Sequence, residues 1–553
     1  MKNLWNSSVK AYCYLLLLTY FLFSNNMDLQ AQWHYNFEAK TFGGGTTAYC
    51  ATNKMIETTT GDILIAGSIY FDSAYPLNFR GKYDVWMLKT DANMNKLSES
   101  VLGSSAPEGG YALVSIADSG YLLAFTSQGN DSDITCFYTK ANGNTTISFQ
   151  LFKYNSNGQL HWNKCIGDTV GNVAITGDII LPTKEEGFIL SAKEPSSCAL
   201  GSYPTIRKID KNGNLQWKTC TQGNAGLGMP FLCAVESKSG AYFLGTGTAL
   251  NANYYAFPNV TSYPYDVGLL KVDSNGVITQ ANVYGGNGID KIHKILPQAN
   301  GDLILVLTSN STAKRSGEAL PNYGSNLIWL IRVDSTGTVL QEAFFGGNSG
   351  VVIQDAIQLK NGNIMIANYS KCSYFMNQDS TNYHPSTFSV PTDFFLCEVD
   401  SNLNYIGARC FGGSGDEKPY SLLQTQDGAI WVAGQAASND GDVDTIFNTF
   451  SNGWIIKLTE DSILGSKPSL MPSKQEVSMY PNPAQETVRL NFNNNVLPQQ
   501  LSVQDVQGNV LQSLNQIQKN QRLTIGHLPN GMYLLRFNYA NGQVLHKKLV
   551  VLR

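Results

Sequence analysis

Short apolar runs separated by turn residues extend along most of the chain. The runs are rich in Ile, Leu, Val and Tyr and end in Gly, Asn or Asp, a pattern typical of β-strands rather than helices. One such run occurs seven times with a charged residue at a fixed position. The aligned positions are Lys89, Lys153, Lys208, Lys271, Arg332, Glu398 and Lys457. Their mean spacing is about 61 residues, and a repeat of this kind indicates a propeller or a solenoid.

A second signature, a glycine followed by an apolar run, precedes each copy of the first. Its copies begin at Gly61, Gly120, Gly187, Gly240, Gly301, Gly362 and Gly428. Each repeat then contains four strands, and turns such as Asp273-Ser-Asn-Gly276 join the third strand to the fourth. Four-stranded units arranged radially predict an all-β fold, a seven-bladed β-propeller over residues 32–464.

The two ends of the repeat region predict how the ring closes. The last repeat stops after its third strand, near residues 458–464, whereas residues 33–42 match a fourth strand. The first segment is therefore expected to complete the last blade. The alternative is a separate edge strand, which would leave backbone groups unpaired.

The amino terminus has the pattern of a secretory signal peptide over residues 1–31. Lys2 and Lys10 precede an apolar run of 13 residues from Ala11 to Phe23, and Ala31 is the expected cleavage position. The run is shorter than the roughly 20 residues that a transmembrane helix needs. The expected mature chain is exported and soluble; the alternative is a buried N-terminal helix.

Charge and cysteine content narrow the classes of function. Charged residues make up 14%, and 38 Lys and Arg against 42 Asp and Glu give a net charge of −4, so no nucleic-acid partner is expected. Nine of the ten cysteines remain after Cys13 leaves with the signal peptide. Cys397 with Cys410 and Cys165 with Cys220 are candidate disulfide pairs, and buried free thiols are the alternative. No C-x-x-C motif indicates zinc.

Candidate chemistry is sparse. Asp440, Asp442 and Asp444 alternate along one turn and are candidate Ca²⁺ ligands, with a solvated Asp-rich turn as the alternative. No other cofactor is expected. No motif of a known catalytic site occurs, so no catalytic residue is assigned, although distant carboxylates can converge in a fold. Asp290, His293 and Asp355 lie near the predicted starts of innermost strands, where they either face a central channel or cap a blade.

The variable parts of the repeats are the links between second and third strands. These links are residues 68–83, 127–148, 248–264, 309–326, 370–392 and 436–452. Long loops on a rigid scaffold often carry binding sites. Their aromatic residues, Tyr254, Tyr255, Phe257, Tyr263, Tyr374, Phe375 and Tyr383, either stack on a ligand or anchor the loops by packing together.

After residue 464 the repeat pattern ends. Residues 465–477 have the Ser, Pro and Lys content of a linker. Residues 478–553 contain closely spaced strand-like runs, which predict a small C-terminal β-sandwich.

Four motifs in this segment carry a family resemblance. They are Tyr480-Pro481-Asn482-Pro483-Ala484, Val503-Gln-Asp-Val-Gln-Gly508, Leu528-Pro-Asn-Gly531-Met-Tyr533 and Lys547-Lys548-Leu-Val-Val551. In this order at the C-terminal end they resemble the type A C-terminal sorting domain of the Bacteroidetes type IX secretion system. Met532 stands where that family more often has Ile or Val. The alternative is an unrelated immunoglobulin-like adhesion module.

The resemblance implies export through the periplasm and across the outer membrane by the type IX secretion machinery. It also implies a sortase-like protease that removes the domain, with the body then attached to surface lipopolysaccharide or released. The sequence therefore predicts a secreted or cell-surface binding or adhesion propeller with a glycan or protein ligand. An extracellular polysaccharide-acting glycosidase or lyase and a structural surface protein without a small ligand are the alternatives.

Overall fold

The computed structural model describes most of the chain after the amino-terminal segment. The described residues are 35–43, 49–70, 77–167, 180–198, 201–220, 231–247, 266–321, 325–347, 350–371, 374–375, 378–379, 392–444, 451–460, 477–480, 484–492, 497–505, 509–538 and 544–552. The predicted signal peptide lies outside them. The described residues form strands and turns and include no helix. A membrane-spanning apolar helix is accordingly not found in this part of the chain.

The chain divides into two compact units, Met1–Asp461 and Ser462–Arg553. Strands in the first half of unit one are β1 (Tyr35–Phe42), β2 (Cys50–Glu57), β3 (Ile63–Tyr70), β4 (Tyr83–Thr90), β5 (Lys96–Leu102), β6 (Glu108–Ser115), β7 (Tyr121–Ser127), β8 (Ser148–Tyr154), β9 (Leu160–Ile166), β10 (Ile180–Pro182), β11 (Phe188–Cys198), β12 (Gly201–Ile209) and β13 (Leu215–Cys220). The others are β14 (Phe231–Glu236), β15 (Tyr242–Gly247), β16 (Val267–Val272), β17 (Ile278–Tyr284), β18 (Asp290–Pro297), β19 (Leu303–Ser309), β20 (Leu327–Val333), β21 (Val339–Phe345), β22 (Val352–Gln358), β23 (Ile364–Ser370), β24 (Tyr374–Phe375), β25 (Gln378–Asp379), β26 (Asp393–Val399), β27 (Tyr405–Phe411), β28 (Glu417–Gln424), β29 (Ile430–Ala436) and β30 (Asn452–Glu460).

The described strands of this unit pair into propeller-like repeated sheets, each with four antiparallel strands. In chain order of their first strands, sheets 1 to 7 are β2-β3-β4-β5, β6-β7-β8-β9, β10-β11-β12-β13, β14-β15-β16-β17, β18-β19-β20-β21, β22-β23-β26-β27 and β28-β29-β30-β1. The short strands β24 and β25 form a separate ribbon.

Apolar runs in these strands are buried because neighbouring sheets cover both of their faces. In β20, for example, every residue but Arg332 is buried. Each consecutive pair of sheets from 1 to 7 shares a hydrophobic core. Sheets 7 and 1 share another, in which Trp431 of β29 and Trp86 of β4 are fully buried.

The turns predicted between third and fourth strands are confirmed. In the turn after β16, Asp273 Oδ1 accepts hydrogen bonds from the N–H groups of Asn275 and Val277 at 2.9 and 2.8 Å. Gly276 closes the turn with φ +86°, a left-handed conformation that glycine adopts without steric cost. The Asp-x-x-Gly pattern therefore fixes these hairpins locally.

The first and last strands of the repeat region meet as the sequence predicts. β1 pairs antiparallel with β30, with Tyr35 opposite Glu460 and Phe42 opposite Gly453. Residues 35–42 therefore do not form a separate edge strand; β1 completes the sheet of the last repeat.

Cysteine pairing differs from the candidate pairs. Cys165 forms a disulfide with Cys136 rather than with Cys220. Cys397 is a buried free thiol, so its predicted pairing with Cys410 is wrong; Cys220 and Cys410 are each disulfide-bonded. Cys136 lies in the loop between β7 and β8, and sequence spacing carries no signal for such an approach.

The second unit contains two antiparallel sheets that share one core. Its strands are β31 (Val477–Tyr480), β32 (Thr487–Phe492), β33 (Gln500–Gln504), β34 (Val510–Leu514), β35 (Asn520–Thr524), β36 (Gly531–Asn538) and β37 (Val544–Val551). The sheet orders are β31-β32-β35 and β34-β33-β36-β37. Leu490 of the first sheet and Leu535 of the second are fully buried in the common core.

Candidate functional site: a cavity lined by bulged strands

The first strands of six sheets share a local irregularity. Strands β2, β6, β14, β18, β22 and β28 each carry a β-bulge where they pair with the second strand of their sheet. The residues at these bulges are Asn53, Tyr111, Leu232, His293, Gln354 and Tyr420. A bulge inserts an extra residue into a strand and re-aims its side chain. Six different sheets therefore present one re-aimed side chain each.

All six bulge residues line one cavity of about 230 Å³, here called the bulge cavity. Lys54, Lys291, Ile292 and Ile353 complete its described lining. Each of the six bulge side chains is half-buried, so it keeps some surface for a bound molecule. The described lining combines two ammonium groups, two phenols, two amides and an imidazole, and it includes neither Asp nor Glu.

His293 is the one residue of the Asp290, His293 and Asp355 set that lines the bulge cavity. Its Nε2 lies 2.8 Å from the Thr308 hydroxyl oxygen. Burial, with a smaller contribution from the positive charge of Lys291, lowers the pKa of His293 to about 3. The imidazole is therefore neutral at physiological pH.

Asp355 makes its hydrogen bonds to other groups of the protein and does not line the cavity. Its Oδ1 lies 2.6 Å from Lys294 Nζ, and its Oδ2 accepts the N–H of Leu422 at 3.0 Å. Although burial alone would raise the pKa of Asp355, the net effect of Lys294, Lys54 and these hydrogen bonds is to lower it. Asp355 thereby joins the first strands of sheets 5, 6 and 7.

Asp290 belongs to a motif that occurs at three junctions between sheets. At each junction an acidic side chain accepts a hydrogen bond from the backbone N–H four residues before it. Glu108 accepts from Ser104 at 3.2 Å, Asp290 from Gly286 at 2.7 Å and Glu417 from Gly413 at 3.0 Å. A second acid from the preceding sheet faces the same glycine. The three pairs are Asp84 with Glu108 at Gly103, Asp266 with Asp290 at Gly285, and Asp393 with Glu417 at Gly412.

Only glycine fits at these junctions, because both carboxyl groups lie where a Cβ atom would be. A Cβ added to Gly285 would lie 2.3 Å from Asp266 Oδ1 and 2.7 Å from Asp290 Oδ2. This explains why a glycine directly follows the fourth strand at these three junctions. Burial raises the pKa of Glu108 to about 7 and that of Asp266 to about 6, the latter despite the opposing effect of Arg315. These acids are structural and do not line the bulge cavity.

The three candidate calcium ligands point to three separate backbone groups. Asp440 Oδ1 accepts the N–H of Ser414 at 2.7 Å, and Asp442 Oδ2 accepts that of Gly412 at 3.3 Å. Asp444 Oδ1 accepts the N–H of Thr41 in β1 at 3.0 Å. The residues described here contain no cluster of three or more His, Cys, Asp or Glu side chains placed to hold a metal ion. Calcium binding at this turn stays untested, beside its alternative of a solvated Asp-rich turn.

The sorting-signal residues are distributed over the second unit. Tyr480 ends β31, Gly531 begins β36, and Lys547 and Lys548 lie in β37. The buried Tyr533 donates its hydroxyl to the carbonyl oxygen of Pro529 at 2.8 Å. Pro481, Asn482, Pro483 and Gly508 lie outside the described residues.

Two motifs of the sorting signal meet in space. The N–H of Ala484 donates to the carbonyl oxygen of Val550 at 2.8 Å, and the N–H of Leu552 donates to that of Ala484 at 3.0 Å. The segment that follows the Tyr-Pro-Asn-Pro motif is therefore hydrogen-bonded to the last strand of the chain.

Sequence reasoning missed the bulge cavity as a unit. Its signal is a break in strand alternation, where a polar pair such as Asn53-Lys54 or His293-Lys294 precedes two apolar residues. The loop aromatics at positions 254, 255, 257, 263 and 383 lie outside the described residues, and the side chains at 374 and 375 are not described.

Comparison with known proteins identifies the second unit. Residues 478–552 match the family model of the secretion system C-terminal sorting domain. No curated protein sequence matches the chain.

Solved structures with similarity to the chain include two proteins of unknown function. One, from Bacteroides caccae, is 11% identical, with 60% of this chain and 92% of that chain covered and a TM-score of 0.33. The other, from Dyadobacter fermentans, is 11% identical, with 76% and 98% covered and a TM-score of 0.40. Residues 478–552 are a secretion system C-terminal sorting domain, which engages the type IX secretion machinery and directs the chain to the cell surface or the extracellular space.

Proposed function

We propose that this chain is a seven-bladed β-propeller that binds a ligand outside the cell, at the bulge cavity, after export by its sorting domain. The observation that carries the proposal is the convergence of six bulged side chains, one from each of six sheets, on a single cavity. Bulges of this kind are over-represented next to active sites because they re-aim side chains.

Closure of the ring is supported by contacts between sheets 7 and 1. The Thr52 hydroxyl donates to the carbonyl oxygen of Gly434 at 2.6 Å. The N–H of Cys50 donates to the carbonyl oxygen of Ser451 at 3.1 Å. Because β1 belongs to sheet 7, the first and last strands of the repeat region lie in the same sheet. A closed ring leaves only short, protected edges.

Binding is favoured over glycoside hydrolysis by the chemistry of the cavity. Most glycosidases need two carboxyl groups flanking the scissile bond. Neither Asp nor Glu is among the described lining residues, and Asp290 and Asp355 are engaged in contacts within the protein. Catalysis on extracellular polysaccharides remains the second candidate function. A lyase would use catalytic residues other than the carboxyl pair of a glycosidase.

We also propose that the exported chain is cleaved, because it carries the sorting domain. A sortase-like protease removes residues 478–553, and the propeller is then released or attached to surface lipopolysaccharide. Intact-mass measurement of the protein from culture medium and from washed cells tests this step. A full-length mass at both places would contradict removal.

Glycan and peptide arrays test the binding function with the exported chain. Specific binding to an array ligand without product formation supports the binding function. The Tyr420→Ala variant should then lose this binding while keeping the wild-type melting temperature. Release of reducing ends or unsaturated sugars would establish the enzyme instead. Absence of any bound ligand would favour a structural surface protein.

A further inference from the structure

We propose that the sorting domain docks on an acidic protein surface of the type IX secretion machinery through Arg489 and Arg522. These two arginines, with Thr487 and Thr524, are here called the arginine face of the sheet β31-β32-β35. The inference concerns export and does not depend on ligand binding at the bulge cavity. It is carried by the charge of the domain, by the position of the two arginines and by their polar surroundings.

The sorting domain has a charge opposite to that of the propeller region. Residues 478–553 contain seven Lys and Arg against two Asp and Glu. Residues 32–464 contain 27 Lys and Arg against 38 Asp and Glu. Because positive charge is concentrated in the segment that engages the secretion machinery, we expect the complementary surface of that machinery to be acidic.

The two arginines lie directly opposite each other. Arg489 of β32 is in register with Arg522 of β35, and both side chains are exposed. Strand alternation turns them away from the core, since the neighbouring Leu490 and Leu523 are buried in it. Like charges at directly opposite positions destabilise a sheet. The sheet therefore carries a repulsion that carboxylate groups of a partner would relieve.

Both arginines keep donors for such carboxylates. Arg489 makes no hydrogen bond or ion pair among the described residues. Arg522 makes one long hydrogen bond, of 3.5 Å from its Nη2 to the hydroxyl oxygen of Thr487. A guanidinium group has five N–H donors in a planar arrangement that matches the two oxygens of a carboxylate.

The surroundings of the pair favour a protein partner over a lipid membrane. Thr487 and Thr524 lie opposite each other at the next outward position of the same two strands. Among the described side chains of β31, β32 and β35, no large apolar one is exposed. Binding to a membrane surface depends on buried apolar area as well as on attraction to anionic lipids. A polar face with two arginines therefore suits the carboxylates of a protein surface.

The arginine face lies beside a sorting motif. Tyr480, the first residue of the Tyr-Pro-Asn-Pro motif, is in register with Arg489. The three strands therefore place Tyr480, Arg489 and Arg522 at one level across the sheet. A component of the machinery that binds at this motif would lie next to both arginines.

Export of full-length variants from a host with the type IX secretion machinery tests the proposal. Arg489→Glu and Arg522→Glu each replace a like-charge pair by an opposite-charge pair, which stabilises a sheet. We therefore expect neither variant to lower the melting temperature of the purified chain. Each should nevertheless lower the exported fraction at least about tenfold and leave the protein in the periplasm, because a like charge then faces the acidic partner. A purely structural role of the pair would not separate export from stability in this way.

Arg536→Glu is the matched control, since Arg536 is an exposed arginine in the other sheet of the same domain. It should be exported as the wild type is. The double substitution Arg489→Lys with Arg522→Lys keeps both charges, and its exported fraction should exceed that of either glutamate variant. Wild-type export of both glutamate variants, or an equal loss of export in Arg536→Glu, would overturn the assignment to this face.

Photo-crosslinking in the same cells tests the identity of the partner. A photoreactive amino acid in place of Thr524, which is exposed on the arginine face, should crosslink to a component of the type IX machinery. Addition of Arg522→Glu should reduce that crosslink at least about tenfold. A crosslink to lipid, to a second copy of the chain or to residues 32–464 of the same chain would overturn the proposed partner.

Discussion

Asp393 and Glu417 present their carboxyl groups to the same glycine from two neighbouring sheets. A Cβ on Gly412 would lie 2.5 Å from Asp393 Oδ1 and 2.7 Å from Glu417 Oε2. Burial and the nearby carboxylates of Glu417, Asp442 and Asp416 raise the pKa of Asp393 to about 9. Burial also raises the pKa of Glu417. The pair therefore holds a proton at neutral pH.

Because the pair loses this proton at high pH, the free energy of unfolding depends on pH. Because the pKa of Asp393 is higher in the folded chain than the ~3.9 of an unfolded aspartate, its contribution is complete below about pH 4 and is lost as the pH rises toward about 9. We expect the free energy of unfolding to fall by at least about 1 kcal/mol between pH 6 and pH 9. Denaturant titrations across this range measure it.

Asp393→Asn should flatten this slope, since an amide cannot ionise and can donate to Glu417. Glu38→Gln, at an exposed position of β1 in the sheet of Glu417, should keep the wild-type slope. Glu108 and Asp266 shift in the same direction, with pKa values raised to about 7 and about 6, so part of the slope will remain. An unchanged slope in Asp393→Asn would show that this pair does not hold the proton.

The ion pair between Lys294 and Asp355 should respond asymmetrically to substitution. The Asp355 side chain is 5% exposed, whereas Lys294 is 31% exposed. Lys294→Met removes the ammonium group that is hydrogen-bonded to this buried carboxylate, and we expect a cost of about 3 kcal/mol. Asp355→Asn leaves an ammonium that water can reach, and we expect about 2 kcal/mol. Urea denaturation compares the two; the reverse order would contradict the assignment.

The turn at residues 440–444 should be stable without calcium. Its carboxylates each accept a backbone N–H group, so the melting temperature should be the same in chelator and in excess Ca²⁺. Differential scanning calorimetry checks this. A rise with Ca²⁺ that Asp442→Asn abolishes would establish a calcium site and contradict this expectation.

Removal of residues 478–553 should abolish export. The truncated chain lacks the sorting domain, and cell fractionation should then find it in the periplasm instead of on the surface or in the medium. As a control, residues 465–553 fused to a periplasmic reporter should carry that reporter out of the cell. Export of the truncated chain would show that the signal lies elsewhere.

Much of the fold follows from local sequence. The Asp-x-x-Gly turns specify hairpins because aspartate caps the turn and glycine takes the left-handed conformation. The repeated apolar runs specify strands with both faces buried. The sorting domain was recognisable from four short motifs because these occur in a fixed order at one end of the chain.

The site was less predictable because it depends on register and on contacts between distant segments. His293 and Asp355 both lie near strand starts, yet only His293 lines the cavity. A one-residue change in register moves a side chain to the other face of a strand, and the bulges introduce such a change. The pairing of Cys165 with Cys136 likewise depends on a loop path that spacing does not encode.

A crystal structure of the exported chain is the most direct test of the account. We predict seven four-stranded sheets around one axis, with β1 completing the last sheet and with Asn53, Tyr111, Leu232, His293, Gln354 and Tyr420 around one cavity. Six or eight sheets, an open stack, or an amino-terminal strand paired elsewhere would contradict it.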